Sequence, residues 1–570
     1  MPRPTPEELD GPALDGALAM LRVSTPAWVA TGPGERVRLL DRVRRDVAAV
    51  ADRWAAAVMA AEGLDPADSS SGEAALVGPY LLLRNLRLLR DALRDIERHG
   101  TPGIPGVVRT RPDGQVTAQV FPASRYDRLF FPGVTAEVWM EPGVTAVGLA
   151  ATQALAYRDG AHPAGRICLV LGAGNVSSIG PLDVISKLVV ENSVVILKLH
   201  PVNAYLGPIL DAALGALIER GVLRIVTGGA DVGSALCRHA EVDEVHITGS
   251  GRTYDAIVFG PGPEGEARKA RGERMLEKPV SAELGNVSPV IVVPGRWSVR
   301  DIAGQAENVA TMLTNNGGFN CNAARVIVTH AGWPQRGQFL DAVRDRLGAT
   351  PSRVAYYPGA RARFDAFVAA HPEARQLGER TGTRLPWAII EGVDPERRED
   401  ICFTTESFCS VFAETALPAD STPAFIEAAA AFANEALWGT LNATLIVDPR
   451  TQREPAVRTA VEWALGDLRY GTVSLNAWAA LGFALGGLPW GAYPGNTPGS
   501  IGSGVGFVHN ALMFEQAQKT VLRAPFRPLL KPVWYASHRM AHRLAPRLSR
   551  FEASPSPAAL PAIAVLGILG

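Results

Sequence analysis

One stretch of sequence decides the fold: ICLVLGAGN at residues 167–175, an apolar run that ends in a glycine-rich turn. Residues 181–190 follow with apolar side chains at helical spacing, and residues 194–197 form a second apolar run. The alternation of predicted helices and strands then continues at residues 208–218, 223–226, 232–238 and 245–247. Four strands separated by three helices predict a doubly wound parallel sheet whose strands are buried on both faces.

Glycine-rich or polar turns follow these predicted strands directly. They are GAGN, then KLHP at residues 198–201, then ITGS at residues 247–250. Ligands of such sheets bind at the carboxyl ends of the strands, so the placement predicts a dinucleotide site. Thr248-Gly249-Ser250 is weak evidence by itself, because Gly-Ser turns are common. At a strand end it suits a phosphate, since backbone N–H groups that open a helix point at the ligand.

A lone cysteine, Cys321, lies further along in the turn GGFNCNAAR, residues 317–325, just before an apolar strand. Together with the carboxylate of Glu283 and the amide of Asn175 upstream, its thiol supplies the groups needed to attack an aldehyde carbonyl. The thiolate adds to carbon, the amide binds the oxyanion, and the carboxylate deprotonates a thiol or a water. Most free cysteines are small buried hydrophobes. The polar, tightly turned approach favours a nucleophile here.

The motifs GAGN, AELGN at residues 282–286 and GGFNCNAAR, in this order, resemble those of the aldehyde dehydrogenase superfamily. The resemblance runs from about Trp28 to about Lys519. It implies an α/β fold with a doubly wound, Rossmann-type cofactor domain, an α/β catalytic domain and a β-hairpin oligomerisation arm. The implied boundaries are 1–115 and 142–282 for the cofactor domain, 116–141 for the hairpin, 283–515 for the catalytic domain and 516–570 for a basic C-terminal tail.

The resemblance also implies roles for individual residues. Cys321 is the nucleophile, Glu283 the general base and Asn175 the oxyanion donor, with NAD or NADP as the cofactor. The implied cofactor-binding residues are Lys198 at the adenosine ribose, Thr248, Gly249 and Ser250 at the pyrophosphate, Gly285, and Glu406 and Phe408 at the nicotinamide ribose and ring.

The chain departs from the family pattern at several of these places. Pro201 stands where NAD-preferring relatives carry a glutamate, which leaves NAD versus NADP open. Phe319-Asn320 precede Cys321 where relatives have Gly-Gln, and Cys409-Ser410 follow Phe408 where relatives have Gly-Pro. Cys409 is either a redox-sensitive thiol beside the cofactor or, as we favour, a packed one. These departures indicate a divergent branch of the superfamily. The aldehyde substrate of a known relative therefore does not identify the substrate of this protein.

The predicted function is NAD(P)-dependent oxidation of an aldehyde to a carboxylic acid through a cysteine thioester. Glu283 favours water as the acyl acceptor, because coenzyme-A-acylating relatives often lack this glutamate. An acyl-CoA reductase is the alternative within enzymes. A catalytically silent scaffold of the same fold is the second alternative, disfavoured because every predicted site residue is present.

Composition narrows the partners. The 570 residues are 47% apolar with a formal net charge of −1, so no global field attracts nucleic acid. Five scattered cysteines without a CxxC pair suit a reducing compartment, and we expect a cytoplasmic protein. The ten histidines show no metal-ligand spacing, so no metal site is predicted. The first residues lack a signal-peptide pattern, and no run of about 20 apolar residues predicts a membrane span.

The C-terminal tail is unusual in charge. Residues 516–551 carry eight basic side chains and no acidic ones, and residues 533–544 are predicted to form a short basic helix. Such a tail contacts an anionic membrane surface peripherally or, as we favour, packs on the enzyme or a sister subunit. The hairpin predicts a homodimer or homotetramer. The charged stretch 260–278 is interpreted as a solvated surface excursion, with phosphate binding as the minority interpretation.

Overall fold

The structure is a computed structural model that describes residues 11–158 and 165–570. Most of the segment examined for a signal peptide, residues 1–10, lies outside the described residues. The α-helices are α1 (Gly11–Val29), α2 (Pro33–Glu62), α3 (Gly72–Ala75), α4 (Leu81–His99), α5 (Arg125–Phe130), α6 (Ile179–Ile185), α7 (Gly207–Ala213), α8 (Gly215–Glu219), α9 (Ala230–Arg238), α10 (Gly251–Val258), α11 (Gly262–Arg271), α12 (Val299–Thr314), α13 (Arg336–Ala349), α14 (Ala360–Ala370), α15 (Ile401–Thr404), α16 (Thr422–Ala436), α17 (Pro455–Asp467), α18 (Leu481–Ala484), α19 (Ala541–Ala553) and α20 (Leu560–Ile568).

Short 3₁₀ and π turns extend or join these helices. The π turns are Leu76–Tyr80 and Ser186–Val190, and the 3₁₀ turns are Ser69–Ser71, Leu149–Thr152, Leu155–Tyr157, Pro201–Leu206, Asn315–Gly318, Thr451–Arg453 and Pro557–Ala559. The π turn Leu76–Tyr80 lies between α3 and α4 and contains Pro79, which has no N–H to give to a regular helical ladder.

A six-stranded sheet contains the stretch that opened the sequence. Its strands, in spatial order, are β19 (Gly504–Val505), β8 (Val280–Leu284), β7 (Glu244–Gly249), β4 (Ile167–Leu171), β5 (Val194–Lys198) and β6 (Leu223–Val226). All neighbours are parallel except β19 and β8. The strands are almost wholly buried, as their continuous apolar runs require. The predicted doubly wound sheet is confirmed.

A second, larger sheet is built from residues 108–140 and from strands between residues 288 and 523. Its eleven described strands, in spatial order, are β1 (Val108–Thr110), β2 (Val116–Phe121), β3 (Thr135–Met140), β21 (Ala517–Arg523), β17 (Thr472–Leu475), β16 (Asn442–Ile446), β9 (Ser288–Val292), β10 (Ala324–His330), β15 (Val411–Leu417), β14 (Trp387–Ile390) and β12 (Arg375–Leu377). Two small ribbons complete the strands: β11 (Arg353–Val354) with β13 (Arg384–Leu385), and β18 (Pro489–Gly491) with β20 (Phe507–His509).

The hairpin β2–β3 extends the sheet of its own chain. β3 pairs antiparallel with β21, and β21 pairs parallel with β17, so the hairpin is continuous with the eleven-stranded sheet. The first residues of the segment assigned to the tail are therefore sheet. Residues 520–523 pair with residues 472–475, which bonds the start of the tail into this sheet.

The rest of the tail folds back on the N-terminal helices. α19 packs against α2, α3 and α4. The helix predicted at residues 533–544 is wrong in position, because residues 533–540 form turns and the helix begins at Ala541. Within the described residues, no helix combines the length and the apolar character needed to cross a membrane.

Candidate active site

The registers of the six-stranded sheet bring several predicted site residues to neighbouring strand ends. Leu171, just before GAGN, pairs with Lys198 on β5 and with Ile247 on β7. Thr248 in turn pairs with Glu283 on β8. Because these strands are parallel, their carboxyl ends meet at one edge, where such sheets bind ligands.

The loop before Cys321 has a backbone that ordinary residues rarely adopt. Asn316, Gly317 and Gly318 have φ values of +51°, +62° and +83°. At Gly318 a side chain would not fit, since a Cβ would lie 2.4 Å from the carbonyl oxygen of Cys409. This left-handed run turns the chain sharply between α12 and β10 and presents Cys321 at the end of a cavity.

Asn175 holds this loop in place. Its Nδ2 donates to the carbonyl of Phe319 at 2.8 Å, and its own carbonyl accepts from Asn316 Nδ2 and from the Tyr356 hydroxyl, each at 2.9 Å. An amide nitrogen carries two hydrogens. One of them therefore binds the loop two residues before the thiol.

Cys321 and Glu283 lie close enough to shift each other's pKa. Trp490 Nε1 donates a hydrogen bond to Glu283 Oε1 at 2.9 Å. Burial raises the pKa of Glu283 to about 7, while Trp490 and Cys321 oppose the rise. Burial, and then the negative charges of Glu283 and Glu406, raise the pKa of Cys321 well above its ordinary value. The resting thiol is therefore protonated and lies beside a carboxyl group whose pKa is near neutral.

Arg325 joins the cysteine loop to the loop that carries Glu406 and Phe408. Its guanidinium donates to the carbonyls of Gly318 at 2.7 Å and Asn320 at 3.2 Å, and also to the carbonyl of Cys409 at 3.0 Å. The side chain is buried and sits four residues after the nucleophile. The sequence showed Arg325 within GGFNCNAAR but gave it no role.

The residues assigned to the nicotinamide end fit a ribose. Glu406 Oε1 is buried and has no hydrogen-bond partner among the described residues. A Cβ at Gly285 would lie 1.8 Å from Glu406 Oε2, so only glycine leaves room for this carboxylate. Burial raises the pKa of Glu406 to about 8, and Arg325 opposes the rise. Glu406 Oε1 is therefore a buried acceptor without a donor, and a hydroxyl group is a suitable donor for it.

The residues assigned to the adenosine and pyrophosphate end lie on neighbouring strands. Ser250 caps α10 by accepting from the N–H of Thr253 at 3.2 Å, so the helix begins at the end of β7. Thr248 faces inward and donates to Asp183 at 3.0 Å. Burial lowers the pKa of Lys198, and the charge of Asp231 opposes the change. These positions match a dinucleotide, while Thr248 is held by the protein itself.

Trp490 and Tyr356 are site residues that the sequence analysis did not assign. Trp490 lies on β18, and Tyr356 lies in the loop after β11. Neither stands in a recognisable local motif: Trp490 reaches Glu283 across 207 residues of sequence, and Tyr356 reaches Asn316 across 40. A lone tryptophan or tyrosine in an apolar segment is usually core.

The structure also bears on Cys409, on the charged stretch 260–278 and on metal binding. Cys409 is fully buried, and burial raises its pKa to about 11, in keeping with a packed thiol. Four basic residues of the 260–278 stretch are ion-paired, for example Lys269 with Asp255 at 2.8 Å; the four are Arg268, Lys269, Arg271 and Arg274. His371, Asp400 and Cys402 meet within 4.8 Å, a cluster the sequence did not predict. Both ring nitrogens of His371 already contact carboxylates, so neither offers a lone pair to a metal.

Comparison with known proteins agrees with this geometry. The model of the aldehyde dehydrogenase family matches residues 167–351. Aminoaldehyde dehydrogenase 1 of Pisum sativum is 40% identical over 76 residues, which is 13% of this chain and 13% of the pea enzyme. The sequence alignment thus spans about an eighth of that relative's length.

Solved structures extend the likeness to the whole fold. An aldehyde dehydrogenase C variant from Pseudomonas syringae, crystallised with NAD+ and octanal, superimposes with a TM-score of 0.59 at 18% identity, covering 90% of this chain and 89% of that one. The NADP-dependent glyceraldehyde-3-phosphate dehydrogenase of Bacillus halodurans, crystallised with NADP, gives 0.58 at 17% identity, with 90% and 91% covered. Over residues 167–351 the chain matches the aldehyde dehydrogenase family, and over about 90% of its length it shares the fold of these solved structures.

Proposed function

We propose that this protein is an NAD(P)-dependent aldehyde dehydrogenase that oxidises an aldehyde to a carboxylic acid. The observation that carries the proposal is the placement of the half-buried Cys321 thiol beside the buried Glu283 carboxylate, which Trp490 holds by a 2.9 Å hydrogen bond. A nucleophile beside a base whose pKa lies near the operating pH is the arrangement that thiol attack requires.

The first step uses these two residues. Glu283 takes the proton of Cys321 and so produces the thiolate, which adds to the aldehyde carbon and forms a hemithioacetal. The second hydrogen of Asn175 Nδ2 and backbone N–H groups of the cysteine loop stabilise its oxyanion. Because Asn175 also bonds to the loop at Phe319, the donor and the nucleophile keep one fixed relation.

The residues that would hold the cofactor are Glu406, Gly285, Lys198 and those at the start of α10. A bound nicotinamide supplies the acceptor for the hydride that leaves the substrate carbon. Glu406 Oε1 provides a hydrogen-bond acceptor for a ribose hydroxyl, and Phe408, which packs near Tyr357 with ring centroids 5.0 Å apart, provides an apolar face. The family neighbours crystallised with NAD+ or NADP support either dinucleotide.

The acyl group then leaves Cys321 as a carboxylic acid. Glu283, ionised after passing on its proton, activates a water that attacks the thioester. Trp490 fixes the carboxylate by its 2.9 Å hydrogen bond. The presence of this held base supports hydrolysis over transfer to coenzyme A.

One assay tests the whole proposal. Purified protein is supplied with aldehydes from short to long chain, with NAD and NADP in parallel, with and without coenzyme A, and the reduced cofactor is followed at 340 nm. Acid and reduced cofactor in equal amounts, independent of coenzyme A, are expected. Acyl-CoA formation would identify the reductase alternative, and inactivity toward every aldehyde would indicate a silent scaffold.

The assembly and the compartment remain part of the proposal. All five cysteines are free thiols in the structure, which supports a reducing, cytoplasmic setting. A homodimer or homotetramer stays a prediction, although the hairpin expected to pair with a partner pairs with its own chain. Analytical ultracentrifugation decides the assembly. The packed tail supports intramolecular contact over peripheral membrane contact.

A further inference from the structure

A cavity of about 720 Å³ reaches from Cys321 to the C-terminal tail. Its inner part is lined by the cysteine loop, by residues 476–485 and by the turn at 76–81. Its outer part is lined by residues 528–535 and by side chains of α19 and α20. The volume lies in the upper part of the range for small-molecule sites, roughly 300–1,000 Å³.

The polarity of the wall changes along the cavity. Asn315, Asn320 and Asn322 line it beside the thiol, whereas the remainder is lined chiefly by leucine, alanine, proline and aromatic side chains. Among the described lining residues only Glu73 and Lys531 are charged, and both are engaged elsewhere. Glu73 binds Arg353 at 3.1 Å, and Lys531 donates to Ser537 at 3.0 Å. A ligand with a polar head at Cys321 and an apolar body fits this gradient.

Buried contacts hold the outer wall of the cavity in place. Glu552 on α19 binds the buried Arg84 at 2.8 Å, and Phe551 packs edge-on against Tyr126 and Phe130 with ring centroids 5.0 Å from each. Phe130 itself lines the cavity. The tail is therefore a permanent part of the cavity. At the outer end Leu129 and Leu529 are 55% and 78% exposed, so the cavity opens to the surface between apolar side chains.

We propose that this cavity holds the unbranched hydrocarbon chain of a long-chain aliphatic aldehyde, with the carbonyl carbon at Cys321 and the far carbons against the tail. This inference rests on the proposed function and names its substrate class. A methylene is about as large as a water in the liquid, roughly 30 Å³, so the cavity has room for a chain on the order of ten carbons or more. Sequence motifs around Cys321 carry no such information, because the wall comes from distant segments.

The test compares n-alkanals from butanal to tetradecanal. kcat/KM is expected to rise about fourfold per methylene until the cavity is filled, which is the usual gain for burying one such group. Ala564→Phe places a ring in the outer cavity, and Ala562→Phe is the matched control on the same helix outside the lining. The ratio of kcat/KM for dodecanal to that for butanal should fall at least tenfold in the first variant and stay within twofold in the control.

Separate outcomes distinguish the two proposals. If butanal is oxidised but the profile is flat with chain length, or if both variants behave alike, the long-chain inference is wrong and the dehydrogenase stands. If no aldehyde is oxidised, dodecanoic acid binding to the Cys321→Ala protein is measured by intrinsic tryptophan fluorescence. If dodecanoic acid binds and Ala564→Phe weakens this binding, the cavity is a site for a hydrocarbon chain even though the protein does not oxidise aldehydes. Absence of binding overturns it.

Discussion

Arg84 and Glu552 form a buried ion pair across 468 residues of sequence, with Nη1 and Oε1 2.8 Å apart. The same guanidinium binds Asp127 after the hairpin strand β2 at 2.7 Å and the carbonyl of Leu485 at 2.8 Å. Arg87 binds the other oxygen of Glu552 at 2.6 Å. One arginine thus joins α4, the hairpin loop, the 485 region and the tail, and all four segments contribute residues to the lining of the cavity.

Glu552→Ala should destabilise the protein, because Arg87 would lose a buried carboxylate and Arg84 would lose one of its two carboxylate partners. Breaking a buried pair from one side costs roughly 3–5 kcal/mol. The control is Arg550→Ala on the same helix, whose partner Asp52 is 72% exposed and whose loss should cost under about 1 kcal/mol. Thermal midpoints are compared by circular dichroism. Equal shifts in the two variants would show that the tail does not depend on this pair.

Cys321→Ala should abolish aldehyde oxidation and leave dinucleotide binding within about twofold of the original protein. The thiol lines the cavity and lies near Glu283, while the proposed cofactor contacts involve other side chains. Turnover is followed by reduced cofactor, and binding by isothermal titration with NAD and NADP. Oxidation at an unchanged rate would remove Cys321 from the mechanism, and Cys409→Ala serves as a control for a buried thiol.

Asn175→Ala should lower kcat by roughly 10²–10³, the usual effect of removing one oxyanion donor. Because Asn175 also holds the carbonyl of Phe319, Asn175→Asp is measured beside it. If Cys321 is alkylated more slowly in the variant but kcat is unchanged, Asn175 only supports the conformation of the loop. A change in kcat below about threefold would exclude the oxyanion role.

Much of this site was predictable from sequence, and the reasons differ by residue. Cys321, Glu283 and Asn175 stand in local motifs, and the strand periodicity around residues 167–250 placed two of the strand ends correctly. Trp490 and Arg84 were not predictable, because each acts through a contact hundreds of residues away. The tail showed only its charge. The tail forms a wall of the cavity because the buried carboxylate of Glu552 holds it in place, and Glu552 lies just beyond the basic segment 516–551.

Glu283→Gln should slow acid release more than the oxidation step. Glutamine keeps the hydrogen bond from Trp490 but cannot accept a proton, so water activation fails while some thiolate still forms at high pH. Stopped-flow measurement at pH 9 should show a burst of reduced cofactor near one equivalent, followed by a slow steady state. Slowing of both phases together, with no burst, would place water activation elsewhere.

The last prediction concerns pH and Trp490. Burial holds the pKa of Glu283 at about 7, and the base must be ionised, so kcat/KM should rise as pH passes through about 7. The Trp490 hydrogen bond favours the ionised form. Trp490→Phe therefore raises this pKa and should move the acidic limb upward by about one pH unit, since hydrogen bonds to charged groups contribute roughly 1.5–3 kcal/mol. Trp478→Phe is the matched control, because its indole donates to the carbonyl of Asn322 and not to Glu283. An acidic limb that stays in place in Trp490→Phe, or moves equally in both variants, would assign the limb to another group.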